Sequence, residues 1–450
     1  MSNHAAVTPD GGEIGRAQAL QARAARAETD RRMNPILLKP ANDSTSHLVV
    51  LGDELAPTDS AGYGPVARGL RATVLDALTS LRADHDFVVA EGAGGAAEIN
   101  LFDRDLVNLP LAAAAGLPAV LVVDIDRGGA FAMAHGTLDL LPQRLRAPVR
   151  GIVINRIRGD ASLLDPGLRE LERRTGIPVL GVLPHLGREV MLGTEDSLDP
   201  AMDSPAAAGT DPLRVAAIRL PHLANPSDLD PLVLEPSVHL RWVSTPGDLL
   251  DADLVVIPGS RATVADLAWM RRQGLDVALA ATSAAVVGIC AGYQMLGRMI
   301  ADPLGIESGA GQVPGLGLLP VTTTYAAPKT VRRARGPGVD GYEIRWGRPV
   351  SDGMPWLELE VGPDGCVSAD ARVRGTSVHG IFDDDMFRWS LLAEVAAARG
   401  RAFVPAETGF RDAVDRHLDR LATWLRAYVD TEHLAQIAGS AALPHESPGW

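Results

Sequence analysis

One cysteine in this chain stands where a nucleophile would. The apolar run 284–289 delivers Cys290 between Gly288 and Gly292, and Ala291-Gly292-Tyr293-Gln294 then opens a predicted helix. A strand–turn–helix elbow of this kind exposes a nucleophile at the top of an α/β sheet. Its crowded backbone requires small flanking residues. The helix N-terminus favours a thiolate over a thiol. The plain alternative is a buried core cysteine, a common fate for this residue. A second stretch, Val256-Ile257-Pro258-Gly259-Ser260, ends a predicted strand in a glycine turn. By itself it is ordinary strand punctuation. Beside a nucleophile, a backbone N–H near Gly259 and that of Ala291 would form an oxyanion hole. The third stretch is Ser377-Val378-His379-Gly380-Ile381-Phe382. A lone histidine is often structural, but with a cysteine elbow upstream His379 is the natural general base and later acid.

These residues need a scaffold, and the sequence predicts two α/β blocks. At 450 residues the chain is long enough for two cores. In the first block, buried strands are predicted at 48–51, 87–90, 119–123, 151–154 and 179–183, with helices over 66–83 and 163–175. Continuous apolar strands alternating with helices indicate a parallel sheet covered on both faces. Residues 198–212, rich in Pro, Ala and Asp without apolar period, read as a linker. The second block resumes with strands at 214–220 and 254–257, continues through the elbow, and ends in a helix near 410–428. The last residues, from 439, read as a frayed tail. The net charge of −14 argues against nucleic acid or an anionic membrane as the main partner. With only Cys290 and Cys366 there is no disulfide framework, which fits a reducing cytoplasm. Neither a signal peptide nor a membrane span is expected.

The elbow, the LVVIPGS strand end, GYEIRWG at 341–347 and SVHGIF together resemble a class I glutamine amidotransferase domain, and more narrowly that of the cobyric acid synthase family. Further stretches are similar to the same family: AAVTPDGGEIGRAQ at 5–18, MNPILLKP at 33–40, EGAG at 91–94, EINL at 98–101, DIDRGG at 124–129 and NRIRGD at 155–160. The resemblance covers residues 1 to about 430. It implies a flavodoxin-like glutaminase domain over 214–438, preceded over 1–197 by a dethiobiotin-synthetase-like, P-loop-type parallel-sheet synthetase domain. It further implies Cys290 as nucleophile toward the glutamine amide and His379 as its base. Asp10, Glu13, Arg16 and Gln18 would contact substrate, Glu91 would hold Mg²⁺ on ATP phosphates, and Asn155 would read adenine. Glu91 is predicted just past a strand, at the carboxyl edge where α/β sheets bind ligands. The implied substrates are glutamine, ATP and adenosylcobyrinic acid a,c-diamide, whose b, d, e and g carboxylates the family amidates.

Four departures stand out. Many class I domains carry an acid two residues after the histidine; here that position is Ile381, and the group orienting His379 is left open, with Asp383 to Asp385 near in sequence only. The family's GYEIH reads GYEIR, with Arg345 last. Arg156 stands where the family usually has Lys. No Gly-Lys dipeptide occurs anywhere, and the only lysines are Lys39 and Lys329. A chain lacking the family's first strand and phosphate loop, and opening at an internal Met, is therefore expected. The competing readings are cobyrinic acid a,c-diamide synthase, against which the 10–18 motif argues; a lipid-directed amidotransferase subunit, which would lack this amino-terminal block; and a paralogue retaining only glutaminase or corrinoid-binding function, of which a purely binding one would have no reason to keep Cys290 with His379.

Overall fold

The computed structural model describes residues 4–40, 45–55, 58–59, 63–186 and 211–439. The predicted linker, apart from its last two residues, and the tail beyond 439 lie outside them. The chain folds as two compact units, Met1–Pro57 with Met191–Asp415, and Thr58–Val190 with Arg416–Trp450. Compactness thus divides the chain differently from the linear boundary expected near 198. Residues 1–57 group with the cysteine-bearing block rather than with the stretch that follows them.

The first unit is built on a six-stranded sheet ordered Val238–Val243, Leu213–Ile218, Leu254–Ile257, Ala285–Ile289, Val373–Thr376 and Cys366–Val367. All neighbours are parallel except the last pair. Leu254, Val255, Val256 and Ile257 are each 0% exposed, which is why this strand is an unbroken apolar run rather than an alternating one. A long antiparallel hairpin, Val321–Gly336 against Val339–Ser351, dominates a second sheet. The amino-terminal hairpin, Ala5–Val7 against Glu13–Gly15, lays Ala5 and Val7 on Val331, Tyr342 and Ile344 of it. Thr8 closes the turn, its N–H donating to the Gly12 carbonyl at 2.8 Å. Burying a valine-sized side chain such as Val7 is worth about 1.5–3 kcal/mol, so this hairpin is held firmly. The strand predicted at 48–51 is Thr45–Val50, but it pairs antiparallel with Ile36–Pro40 in this unit. It is not part of the second unit's parallel sheet.

The second unit carries a three-stranded parallel sheet, Ala119–Asp124, Val149–Ile157 and Val179–Pro184. Helices Tyr63–Asp84 and Asp165–Thr175 match the predicted ones closely. Val153, Leu180 and Leu183 pack with Val429 and Ile437 from the carboxyl-terminal stretch. The expected strand at 87–90 does not form. Phe87 is 64% and Val89 81% exposed, in irregular backbone. An apolar run becomes a strand only where a neighbouring ladder takes its N–H and C=O groups. The described sheet ends at Ala119–Asp124, and no strand pairs there with 87–90.

Candidate active site

The elbow is formed as its residue types require. Strand Ala285–Ile289 ends at Cys290, and a short helix, Ala291–Leu296, follows at once. Cys290 adopts φ 52° and ψ −105°, a conformation costly for any side-chain-bearing residue and of the kind concentrated at functional sites. Its N–H donates to the Thr376 carbonyl at 2.8 Å, tying the turn to the strand that leads to His379. A Cβ at Gly288 would collide with the Leu296 side chain and the Gly292 backbone, and one at Gly292 with the Ile257 carbonyl. Both flanking glycines are therefore demanded by close approach.

His379 follows the strand Val373–Thr376 and is 3% exposed. It lies within electrostatic reach of Cys290, whose thiol donates to the Ile344 carbonyl at 3.9 Å. Its Nδ1 lies 2.7 Å from Asp228 Oδ2, and Asp228 Oδ1 accepts the Gly380 N–H at 2.9 Å. Burial opposes a charged imidazole here, but the Asp228 carboxylate and Cys290 override it and push the His379 pKa up to about 10. The imidazole is further fixed by Tyr342, stacked on it with ring centroids 5.3 Å apart, and by reciprocal backbone hydrogen bonds between the same two residues of 2.8 and 3.1 Å.

Asp228 is the residue that sequence reasoning missed. It lies 151 positions upstream of His379, in the turn Asn225-Pro226-Ser227-Asp228, and is 1% exposed. Of the candidates near in sequence, Asp383 to Asp385, none bonds the imidazole: the Asp383 N–H donates to the Gly380 carbonyl at 3.0 Å, Asp384 caps the helix Asp385–Ala398, and Asp385 pairs with Arg388 at 2.6 Å. The one available hint was a carboxylate in an Asn-Pro turn embedded in apolar sequence.

Cys290 and His379 open on a pocket of about 110 Å³, which Gly259 and Ala291 also line. The structure thus brings together all four residues expected to handle a nucleophile and an oxyanion. The amino-terminal segment also contributes to the lining. Lys39, His47 and Glu54 line the same pocket, with Lys329 from the long hairpin. Glu13 lies behind them, paired with Lys39 and with Lys329 at 2.7 Å, while Lys329 also reaches Glu54 at 2.5 Å. Glu13 is deeply buried, yet the two ammonium groups override desolvation and hold its pKa down at about 2. Arg345 also lines the pocket; it pairs with fully buried Glu343 at 2.7 Å and donates to the Gly347 carbonyl at 2.7 Å. Tyr325, Glu307 and Gln294 line the pocket too, with Tyr325 Oη 2.6 Å from Glu307 Oε2 and 3.1 Å from Gln294 Oε1.

The residues expected to contact substrate from the 10–18 motif are not an open set. Asp10 pairs with Arg31 at 2.7 Å on the surface, and Glu13 is enclosed by the lysines. Arg16, half-buried at the start of helix Arg16–Ala24, is within electrostatic reach of Tyr342, Asp383, Asp230 and Asp228. Gln18 sits on the first turns of helix Arg16–Ala24. Both lysines of the sequence are engaged in this unit.

In the second unit, Asn155 and Asp124 face each other across adjacent strands near their carboxyl ends. Arg156, at φ 71°, reaches Asp124 at 3.0 Å and Asp126 at 3.1 Å, and Arg158 pairs with Asp126 at 2.6 Å. Glu91 is exposed in irregular backbone and does not terminate a strand. Among the described residues no group of three or more His, Cys, Asp or Glu side chains is arranged to hold a metal. Nor, among the described residues, is any helix long and apolar enough to cross a membrane.

A cysteine on a strained elbow, a buried histidine and a carboxylate beside a glycine-lined hollow define a glutamine amidotransferase domain. In agreement, the CobB/CobQ-like glutamine amidotransferase domain family matches residues 214–387, and an AAA domain family matches 18–188. Three curated relatives align along nearly the whole chain. The cobyric acid synthase of Frankia casuarinae is 47% identical, over 100% of this chain and 92% of its own. That of Mycolicibacterium paratuberculosis is 48% identical over 96% and 88%, and that of Paracoccus denitrificans 46% identical over 97% and 91%. The chain belongs to the cobyric acid synthase family.

Proposed function

We propose that the first unit hydrolyses glutamine through Cys290, His379 and Asp228, and that the chain uses the ammonia to amidate peripheral carboxylates of a corrinoid, adenosylcobyrinic acid a,c-diamide. The observation that carries the glutaminase is that Cys290 and His379 line one pocket, with the His379 ring held by the buried Asp228 carboxylate at 2.7 Å. Asp228 holds the ring so that Nδ1 bears a proton and Nε2 faces sulfur. With the thiol proton already held on His379, the sulfur attacks the glutamine side-chain carbonyl carbon. The oxyanion meets the backbone N–H groups of Gly259 and Ala291. His379 gives its proton to the departing nitrogen, ammonia leaves, and a γ-glutamyl thioester remains. Water then attacks, His379 takes and returns a proton, and glutamate departs with the thiol restored. Glutamine turnover followed as glutamate release, parent against Asp228→Asn, tests this reading; equal rates would discard it.

The amidation half rests on the family and on the match of residues 18–188 to an AAA domain. ATP would meet the second unit at the carboxyl ends of its strands, where Asn155 and the Asp124–Arg156–Asp126 network lie. ATP and its Mg²⁺ would activate the corrinoid carboxylate for attack by ammonia. With Lys39 and Lys329 both paired in the first unit, positive charge for the phosphates in this sequence falls to arginine and to backbone N–H groups. An ATP titration of this chain, beside a version extended upstream by a Gly-Lys-Ser/Thr loop, measures what such a loop adds. Equal affinity would discard the need for it.

A further inference from the structure

Arg345 stands where the family's GYEIH stretch has its histidine, and glutamine hydrolysis as described makes no use of its charge. The long hairpin that carries it brings three more cations to the same place. Thr330 lies directly opposite Arg345 and Arg332 opposite Glu343, while the register shifts between Tyr325 and Thr330. Such an irregularity re-aims the side chains within it, and Lys329 is one of them. A hollow of about 280 Å³ opens there, lined by Lys329, Arg332, Arg345 and Arg348, with Thr330 and two prolines and no acidic residue. Like charges gathered this closely repel, and their counter-charges are few. Glu343, fully buried, is shared by Arg332 and Arg345, the latter at 2.7 Å. Lys329 takes Glu54 at 2.5 Å and shares Glu13 with Lys39. The Arg348 guanidinium pairs with no carboxylate among the described residues; it reaches the carbonyl oxygens of Ala327 and Pro328, each at 3.3 Å. These five cations thus meet three carboxylates, which leaves two positive charges unmatched. In a chain of net charge −14, such a hollow attracts an anion that the rest of the surface repels.

We infer that this hollow is an anchoring site for a carboxylate arm of the acceptor substrate, so that the unit that releases ammonia also grips the molecule to be amidated. The inference rests on the corrinoid reading given above. Guanidinium forks meet carboxylate oxygens two at a time, which suits them to this ligand. The location favours a carboxylate of the acceptor over a phosphate. Lys329 and Arg345 line this hollow and the Cys290 pocket alike, so the two are separated by shared side chains. A hollow of this size admits the tip of one arm and not a macrocycle. The b, d, e and g carboxylates of the a,c-diamide let one arm anchor while another reacts. Each amidation removes a candidate arm, so the grip weakens as the product forms and fails once the last carboxylate is gone.

The test is equilibrium dialysis of the full chain against adenosylcobyrinic acid a,c-diamide, read by corrin absorbance, beside the same corrinoid with its b, d, e and g carboxylates already amidated. Arg348→Gln gives up two long bonds to carbonyl oxygens and no ion pair, so the fold is not at stake. It is expected to weaken the diamide about tenfold, as for one lost hydrogen bond to a charged group, and to leave the amidated corrinoid unchanged. Arg348→Lys, which keeps the charge, is expected to retain most of the parental affinity. Arg332→Gln, which leaves Glu343 its bond to Arg345, is expected to weaken the diamide to a similar extent. Equal affinity of parent and Arg348→Gln for the diamide overturns the inference. So does an equal loss for both corrinoids, because the arginine would then meet something other than a carboxylate. The same variants are titrated with inorganic tripolyphosphate; a loss there without one for the diamide assigns the hollow to phosphate and overturns the inference too. Glutamate release from the parent keeps the readings apart. A parent that binds the diamide and releases no glutamate defeats the glutaminase alone, and one that binds no corrinoid defeats this inference together with the amidation reading.

Discussion

The two units carry their chemistry in opposite ways. In the first, reacting groups are enclosed: Cys290 is 7%, His379 3% and Asp228 1% exposed, and every hydrogen bond that orients them comes from the same compact body. In the second, the polar residues at the strand ends are open to solvent, with the Arg156 side chain 45% and that of Arg158 61% exposed. A dry site can shift proton affinities strongly and hold a nucleophile in one geometry; a wet one is a surface on which a ligand must bring its own order. The contrast means that changes in the first unit should be felt as large losses of rate or stability, and changes in the second as losses of binding.

The sharpest way to break the contrast is Cys290→Ser, which should abolish glutamate release, while Cys366→Ser, whose sulfur lines no part of the pocket, should retain it. Parental turnover in Cys290→Ser would end the account. Next in size, His379→Ala and Asp228→Asn should each lower the rate by roughly 10²–10⁴, as expected for loss of a base or of the group that orients it. An Asp228→Asn enzyme with parental rate would discard the reading that runs through Asp228. Third, Glu13→Gln leaves Lys39 and Lys329 buried with one carboxylate fewer, a change worth about 3–5 kcal/mol. The melting temperature should fall accordingly at pH 7 and approach parent below pH 3. That sign follows from the lowered Glu13 pKa, whose stabilisation is present above about 4.5 and lost as pH falls toward 2.

A smaller effect lies at the alkaline end. The pKa of His379 is raised in the folded protein, so its ion pair contributes fully below about 6.5 and is lost as pH climbs toward 10. Urea titrations between pH 6 and 10 should therefore show a decline that His379→Gln lacks; parallel slopes would refute it. Smallest of all, Asp126→Asn removes exposed ion pairs with Arg156 and Arg158. It should leave both melting temperature and glutamine hydrolysis unchanged, and weaken only ATP-dependent amidation.

Much of the first unit was legible in the sequence because parallel strands buried on both faces write themselves as apolar runs, and because an elbow dictates small residues at fixed spacing. Leu254–Ile257, Ala285–Ile289 and the Gly288–Cys290–Gly292 pattern follow from that. What was not legible depended on distance along the chain. Asp228 meets His379 only because two strand ends converge, and no local pattern records it. The hairpin at 5–15 reads as a motif, but its partner, the strand bearing Tyr342, lies more than 300 residues away. The predicted strand at 87–90 failed for a related reason. Apolar periodicity states what a segment can do, and only a neighbouring ladder decides whether it does.

The central claim, a complete thiol-based glutaminase within the first unit, is tested most directly by trapping its intermediate. The parent chain is mixed with isotopically labelled glutamine, quenched in acid within one turnover, digested and mapped by mass spectrometry. The account predicts labelled γ-glutamyl on the peptide containing Cys290, none on that containing Cys366, and none after Cys290→Ser. Label on Cys366, or steady glutamate release with no adduct at Cys290, would contradict it.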